Sequence, residues 1–154
     1  MAEYPQPEGY SLSRFIGGYD LSLIAVFNSQ QKILRGMWLR ECTEFKTDGS
    51  IEFDGFRSVE SVEKILVDQA KTIVHKIIKL DGAQRGCLNF SFRVNKEQEL
   101  FLIEVHPDLV GENVMEEIVP SVLGRPLLTD LVRFYVGEIP MIDYLPEVLD
   151  DFTG

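Results

Sequence analysis

Features that would assign the chain to a specialised class of protein are largely missing. It has only two cysteines, Cys42 and Cys87, whose separation fits no metal-finger spacing, so both are predicted to be free, buried thiols. No run of about 18 apolar residues is present, so neither a membrane span nor a membrane partner is expected. The N-terminus lacks a basic segment followed by an apolar core, which excludes a secretory signal and favours a cytoplasmic protein.

Basic residues are also few in this chain. The chain carries 25 acidic residues against 15 basic ones, a net charge of −10, so attraction to a nucleic-acid backbone is not expected. The composition is otherwise ordinary. A chain of 154 residues with 45% hydrophobic side chains is typical of one globular domain.

The first third of the chain has the pattern of β-strands. Apolar alternation predicts a short strand at residues 11–16 and an antiparallel hairpin made by residues 21–28 and 33–41, with Gly36 at a bulge. The polar, glycine-containing stretch 43–57 is typical of a loop.

A long helix is predicted next. Ser58 is a good N-cap and Gly82 a suitable stop, because serine can accept a hydrogen bond from the first turn and glycine adopts the left-handed cap. Between them, apolar residues recur at three- and four-residue spacing and predict one core-facing stripe: Val62, Ile65, Leu66, Ala70, Ile73, Val74, Ile77 and Ile78.

Two more strands and two shorter helices complete the prediction. The strands cover residues 87–94 and 100–106 around a polar turn, and the helices cover 111–119, ending at Pro120, and 127–136. On the last helix a shared face is predicted for Leu127, Leu128, Leu131, Val132 and Tyr135.

The element order β-β-β-α-β-β-α-α predicts an α+β domain, an antiparallel sheet with helices packed on one face. We expect a loose leader at residues 1–10, this domain at 11–138 and an acidic tail at 139–154.

The last predicted strand contains the side chains that are most suited to binding a ligand. A period of two places Phe101, Ile103 and Val105 on one face and Leu102, Glu104 and His106 on the other. A carboxylate and an imidazole side by side at a strand end are a candidate metal site. A solvated carboxylate and a hydrogen-bonded histidine would account for the same residues.

A series of short motifs resembles the C-terminal lobe of the ATP-grasp family, as in carbamoyl-phosphate synthase and carboxylate–amine ligases. The resemblance covers roughly residues 12–138, and its strength lies in the order of the motifs. The matching motifs are the hinge and turn RFIGGYD at 14–20 with Asp20 in place of glutamate, Leu39-Arg40 ending the hairpin, NFSF at 89–92, EVHPD at 104–108, Leu123-Gly124 and the run 127–137.

The resemblance implies one wall of an ATP cleft. Carboxylates of this lobe would hold Mg²⁺ against the phosphates, and a carboxylate substrate would be converted to an acyl-phosphate. It implies Glu104 and His106 as metal ligands, Arg40, Asn89 and Glu104 as ATP contacts, and Arg40 as a catalytic phosphate contact. A surface ion pair of Arg40 to a neighbouring glutamate, and a cross-strand hydrogen bond of Asn89, are the alternatives.

Departures from the family pattern favour a second hypothesis. Ser91 stands where the family has glutamine or glutamate, His106 replaces asparagine, and Asp108 replaces arginine. The family's phosphate-holding lysines belong to a smaller lobe, which must come from the same or another chain. The two hypotheses are the C-terminal half of a ligase, inactive alone, and a degenerate binding or structural module. A homo-oligomer that pairs through residues 11–16 is a third expectation.

Overall fold

The structure, a computed structural model, describes residues 14–28, 33–82, 84–107, 111 and 114–146. The predicted leader, the hairpin turn at 29–32 and the last part of the acidic tail lie outside these ranges. The strands are β1 Tyr19–Asn28, β2 Ile33–Phe45, β3 Ile51–Val59, β4 Arg85–Val94 and β5 Leu100–His106, and the helices are α1 Lys64–Asp81, the π-helical turn Val114–Ile118, α2 Val119–Leu123 and α3 Leu127–Tyr135.

The strands form one antiparallel sheet in the order β3-β2-β1-β4-β5. β1 is central, and from Leu21 to Asn28 every one of its side chains is buried, because both faces of the sheet are covered. No helix within the described ranges is long and apolar enough to cross a membrane.

The two faces of the sheet are covered by different elements. On the α1 face, β1 packs its odd-numbered apolar residues against four side chains of the helix: Leu66, Ala70, Val74 and Ile78. On the α3 face, Ile24 and Val26 pack against the π-helical turn, α2, α3 and the segment after α3. The α+β class and antiparallel sheet are therefore confirmed, but the helices lie on both faces instead of one.

The predicted loop at 43–57 is wrong, because β3 occupies Ile51–Val59 and β2 extends to Phe45. The β2–β3 hairpin contains a bulge at Asp54, which is skipped where Cys42 pairs with Gly55 and Thr43 pairs with Phe53. The residues described within the predicted first strand, 14–16, are not strand, and 11–13 lie outside the described ranges.

Gly36 is not at a bulge. It pairs in regular register with Ala25, and a Cβ added there would lie 1.9 Å from the Ile24 carbonyl oxygen. The need for glycine at this position therefore comes from the close approach of two backbones.

α1 begins later than predicted, at Lys64 with Glu63 as the N-cap residue, because Ser58 belongs to β3. Its end is confirmed: Gly82 adopts the left-handed conformation, with φ 72°, and its N–H bonds to the Ile78 carbonyl. Ile65, at the edge of the predicted stripe, is 56% exposed.

Pro120 does not end a helix. It is the second residue of α2, which directly follows the π-helical turn Val114–Ile118 and continues to Leu123. α3 ends at Tyr135, and the face that it buries consists of Leu127, Asp130, Leu131 and Phe134. The predicted face is therefore rotated, and Leu128, Val132 and Tyr135 are exposed.

The segment after α3 packs into the α3 face. Met141, Ile142 and Leu145 are buried there. Asn28 Nδ2 donates to the Pro140 carbonyl over 3.0 Å, and the Gly36 N–H donates to the Pro146 carbonyl over 3.0 Å. The domain boundary at residue 138 stays a prediction, but the packing extends beyond it.

Candidate functional site

The β4–β5 hairpin brings together three of the four predicted site residues. Asn89 pairs with His106, and Ser91 pairs with Glu104. Residues directly opposite each other in antiparallel strands share a face, and residues two apart on a strand do so as well. These four polar side chains therefore lie together on the α3 face.

A bulge in β5 gives Glu104 this orientation. Phe92 pairs with Leu102 and Ser91 pairs with Glu104, so Ile103 is the extra residue. Leu102 and Val105 both pack into the core on the α1 face, and Phe101 lies opposite Arg93 on the other face. The alternation predicted for this strand is therefore wrong for Phe101 and Leu102 and correct for Glu104 and His106.

Glu104 and His106 contact each other at the end of β5. His106 Nε2 lies 3.2 Å from Glu104 Oε1, and the two side chains are 42% and 56% exposed. The carboxylate therefore has a protein partner at one oxygen and remains open to solvent. Such a geometry leaves room for a ligand at the carboxylate.

Asn89 is the most unusual residue of the site. It is only 9% exposed, yet its Oδ1 has no hydrogen-bond partner within the described part of the chain. A buried amide oxygen without a partner costs free energy. The cross-strand hydrogen bond considered for Asn89 is thus not made by this oxygen, which is a vacant acceptor beside His106 in the strand pairing.

The polar surface continues across β1 and β2. Ser22 pairs with Ser91 across the β1–β4 ladder, and its hydroxyl donates to Glu41 Oε1 over 2.6 Å. Asp20 is the next residue on this face and is opposite Arg93. Polar residues at the start of β1 thus extend the row formed by Ser91 and Glu104.

Arg93 fastens the segment before β1 to the sheet. Its Nη1 lies 2.5 Å from Asp20 Oδ2, its Nε donates to the Ile16 carbonyl over 2.9 Å, and its guanidinium carbon lies 5.6 Å from the centre of the Phe15 ring. The guanidinium is mostly buried, which strengthens a charge-assisted contact of this kind.

A cavity of about 490 Å³ lies beside this segment. Residues 14–17, the β4–β5 turn and Phe101 line it. Phe101 lies on the same face of the sheet as Glu104, so the cavity and the polar row occupy one side of the molecule. Its volume falls within the range of roughly 300–1,000 Å³ usual for small-molecule sites.

Arg40 is not brought to this face. It pairs with Leu21 and Arg57 on the α1 face, and its guanidinium carbon lies 4.1 Å from the centre of the Tyr19 ring. The ion pairs considered for it are not formed. Glu41 accepts from Ser22, and Glu44 pairs with Lys46.

The donor set suits a partly protein-held Mg²⁺ ion. Across the described ranges no group of three or more His, Cys, Asp or Glu side chains could hold a metal, and Asp108 lies outside those ranges. Mg²⁺ usually takes one or two carboxylates, with phosphate and water oxygens completing its shell. The Glu104 carboxylate and the vacant Asn89 oxygen fit that requirement, whereas the His106 imidazole suits Zn²⁺ better.

Sequence reasoning missed four residues of this region. Asp20 was noted only as a departure from a motif, Glu41 was considered only as an ion-pair partner of Arg40, and Ser22 and Arg93 were not singled out. A usable signal was present, because Asp20 and Ser22 are two apart at the start of an otherwise apolar strand. The pairing of Arg93 with Asp20 required the strand register.

No protein-family model and no curated protein matches this sequence. Solved structures match its fold. An L-amino acid ligase from Bacillus licheniformis matches with a TM-score of 0.61 at 14% identity, over 80% of this chain and 30% of the ligase. A biotin carboxylase–β,γ-ATP complex from Campylobacter jejuni matches with a TM-score of 0.57 at 16% identity, over 87% and 29%. A phosphoribosylglycinamide synthetase from Anaerococcus prevotii matches with a TM-score of 0.52 at 24% identity, over 69% and 26%.

These likenesses establish the fold and confirm the resemblance found in the sequence. The chain has the ATP-grasp fold, and it spans less than a third of the length of each of these solved chains.

Proposed function

We propose that this ATP-grasp domain is the C-terminal lobe of a carboxylate–amine ligase of the carbamoyl-phosphate-synthase type and forms the metal and phosphate wall of its ATP cleft. The observation that carries the proposal is the grouping of Glu104, Ser91 and Asn89 on one face of the sheet, where the Glu104 carboxylate is exposed and the buried Asn89 Oδ1 has no partner among the described residues. This is the arrangement that a metal–phosphate ligand would complete.

Each residue of the group has a distinct role in the proposal. Glu104 would supply a carboxylate oxygen to Mg²⁺, and Asn89 Oδ1 would supply a second oxygen or accept a hydrogen bond from a bound water. His106 holds the Glu104 carboxylate in place through its 3.2 Å contact. When bound, Mg²⁺ would neutralise phosphate charge and orient the transferred group. Arg40 is left out of this set because its side chain lies on the α1 face.

In this proposal the nucleotide base binds in the cavity beside residues 14–17. It lies on the same side of the sheet as Glu104 and is walled by Phe101. The remaining contacts to the phosphates would come from a second lobe, in this protein or another, and the carboxylate substrate would bind between the lobes. The lobe alone would be inactive, and the cytoplasm is where we expect it to work.

The alternative is a degenerate ATP-grasp-like module without catalysis. Two substitutions favour it. Ser91 has no carboxylate to offer a second Mg²⁺ contact, and His106 engages Glu104 with an imidazole.

Calorimetric titration of the purified chain with ATP, in excess Mg²⁺ and again in EDTA, tests the proposal. We expect weak, Mg²⁺-dependent binding that Glu104→Gln weakens by at least about tenfold, which is about 1.4 kcal/mol. Asp68→Asn is the matched control, because it removes one exposed carboxylate from α1 on the opposite side of the sheet.

Three outcomes separate the hypotheses. Loss of binding in Glu104→Gln but not in Asp68→Asn supports the metal wall. Equal affinity of Glu104→Gln and wild type would refute the role of Glu104. No binding by any form under either condition would mean either that the module is degenerate or that the lobe needs the second lobe to hold ATP.

A further inference from the structure

The segment that precedes β1, residues 14–17, buries little of its surface. Arg14, Phe15 and Gly17 are exposed, with Phe15 73% exposed, and Ile16 is half-buried. Burial of apolar surface is the main force that fixes a segment on a fold. Hydrophobic packing therefore contributes little to the position of residues 14–17, although these residues form one wall of the cavity of about 490 Å³.

Two glycines connect this segment to β1, and their surroundings differ. A Cβ added at Gly18, whose φ is 148°, would lie 1.8 Å from the Val94 carbonyl oxygen, so the Gly18 backbone lies directly against β4. A Cβ added at Gly17 would meet nothing within 4 Å. Because glycine has access to more backbone conformations than other residues, the chain can pivot at Gly17 while Gly18 and β1 stay in place.

The opposite wall of the cavity, the β4–β5 turn, is fastened to α1. Gln69 Nε2 donates to the Gln98 carbonyl over 2.9 Å, and Gln69 Oε1 accepts from the Leu100 N–H over 2.9 Å. One side chain of the helix thus holds the turn through two hydrogen bonds. Of these two walls, residues 14–17 are therefore the one that is free to move.

Arg93 supplies the contacts that hold this movable wall. In the part of the chain that the structure describes, the hydrogen bond that joins residues 14–17 to the sheet runs from Arg93 Nε to the Ile16 carbonyl, over 2.9 Å. Asp20 of β1 engages Nη1 of the same guanidinium, so a planar group is fixed at two points. The two side chains of this ion pair are 14% and 23% exposed, and desolvation offsets much of the attraction in such a pair. The main effect of the pair is therefore on position and not on stability.

Arg93 lies outside the cavity that this wall encloses. The described residues that line the cavity include Phe15 and Ile16 but neither Arg93 nor Asp20. Any effect of Arg93 on a molecule in the cavity is thus transmitted through residues 14–17.

From this geometry we infer that Arg93 is a positioning residue, which holds residues 14–17 closed against the cavity and thereby sets the affinity of the cavity for its ligand. The inference rests on the proposed function for the identity of that ligand, a nucleotide base. Opening of the segment would remove the wall formed by Phe15 and Ile16, and the apparent affinity falls in proportion to the fraction of molecules that are closed.

Limited trypsin digestion of the full chain, together with a titration by adenosine, tests the inference. Cleavage after Arg14 requires residues 14–17 to leave the sheet, so its rate follows the open fraction. Adenosine carries the base without phosphates, so its binding does not depend on Mg²⁺ at Glu104. We expect Arg93→Gln to speed this cleavage and to weaken adenosine binding, each by at least about fivefold.

Two further variants separate the position of the segment from charge and from folding. Arg57→Gln is the matched control, because it removes an exposed arginine from β3 on the α1 face, and it should behave as wild type. Arg93→Lys keeps a charged donor for Asp20 or Ile16 and should restore both quantities part of the way. The urea midpoint of Arg93→Gln should stay close to that of wild type, because residues 14–17 bury little surface.

Each outcome bears on the inference. Faster cleavage after Arg14 with weaker adenosine binding in Arg93→Gln supports it. Faster cleavage with no adenosine binding by wild type supports the role of Arg93 in closing the cavity and counts against the nucleotide base, a failure that belongs to the proposed function. Unchanged cleavage in Arg93→Gln overturns the inference, whether adenosine binding is unchanged or weakened, since a weakened affinity would then come from direct contact of Arg93 with the ligand. Neither of these last results touches Mg²⁺ binding at Glu104.

Discussion

Asn89 shows most clearly, at the level of single residues, how stability and binding can oppose each other in this fold. Its Oδ1 is buried without a partner in the described ranges, whereas Asn28, also buried, donates to the Pro140 carbonyl. A buried amide whose oxygen accepts no hydrogen bond reduces stability, unless a bound ligand supplies the missing contact to that oxygen.

Asn89→Leu is therefore predicted to stabilise the free chain by about 1 kcal/mol, because it replaces a desolvated amide by an apolar group of similar size. The same change should weaken Mg²⁺-dependent ATP binding. Urea unfolding followed by circular dichroism gives the first quantity and calorimetry the second.

Asn28→Leu is the matched control and should have the opposite sign, a loss of about 1–3 kcal/mol, because its partner carbonyl would lose a bond. If both variants destabilise the chain equally, the Asn89 amide is satisfied in solution.

The sequence predicted that Glu104 and His106 lie together, but it did not predict the surroundings of the candidate site residues. Glu104 and His106 could be found because they end an apolar strand. The isolation of the Asn89 oxygen and the turning of Arg40 to the α1 face depend on strand register, which side-chain pattern does not specify across a bulge.

At the level of elements, the backbone approach at Gly36 sets the position of the β1–β2 hairpin. The two strands of this hairpin were predicted because they are largely apolar runs on either side of a polar turn. β3 was missed because Glu52, Asp54 and Arg57 give it the composition of a loop, although an edge strand tolerates such residues on its open side.

Gly36→Ala is predicted to destabilise the protein by about 3 kcal/mol, because the added methyl group would lie 1.9 Å from the Ile24 carbonyl oxygen and the strands would have to separate. Thermal unfolding measures the loss. Gly17→Ala is the control, since a Cβ there meets nothing within 4 Å and should change stability little. A tolerated alanine at position 36 would show that the strands can move apart without cost.

At the level of the whole molecule, the order of elements was enough to predict the α+β class. The predicted order of strands and helices agrees with the observed one only because two errors cancel: it counted residues 11–16 as a strand and left out β3. Nothing in the order of elements places α3 and the segment after it on the face opposite α1. That arrangement follows from which apolar side chains of β1 remain uncovered, including Ile24 and Val26.

The pH dependence of stability at alkaline pH should report on the hydrophobic core of the α3 face, which contains Cys87. Burial raises the pKa of the Cys87 thiol to about 12 from a value of 9.0 when exposed. The protonated thiol is favoured by the folded state, so its contribution to stability is complete below pH 9 and is lost as the pH rises towards 12.

We expect the free energy of unfolding to fall between pH 9 and pH 11, and to fall less steeply in Cys87→Ala. Urea unfolding across this pH range measures both slopes, and Cys42→Ala serves as the control. Identical slopes for wild type and Cys87→Ala would mean that the buried thiol is not what destabilises the fold.

Because of the bulge at Ile103, β5 can lose one residue more easily than it can gain one. In an unbroken ladder this sequence would set Glu104 opposite Phe90, among the hydrophobic side chains facing α1. Because the strand already holds one surplus residue, a relative lacking Ile103 could keep Glu104 opposite Ser91 and His106 opposite Asn89 with no bulge at all. A relative with one residue more would have to widen the bulge or turn the carboxylate inwards. Shortening by one residue is therefore the change that evolution can make here without losing the site.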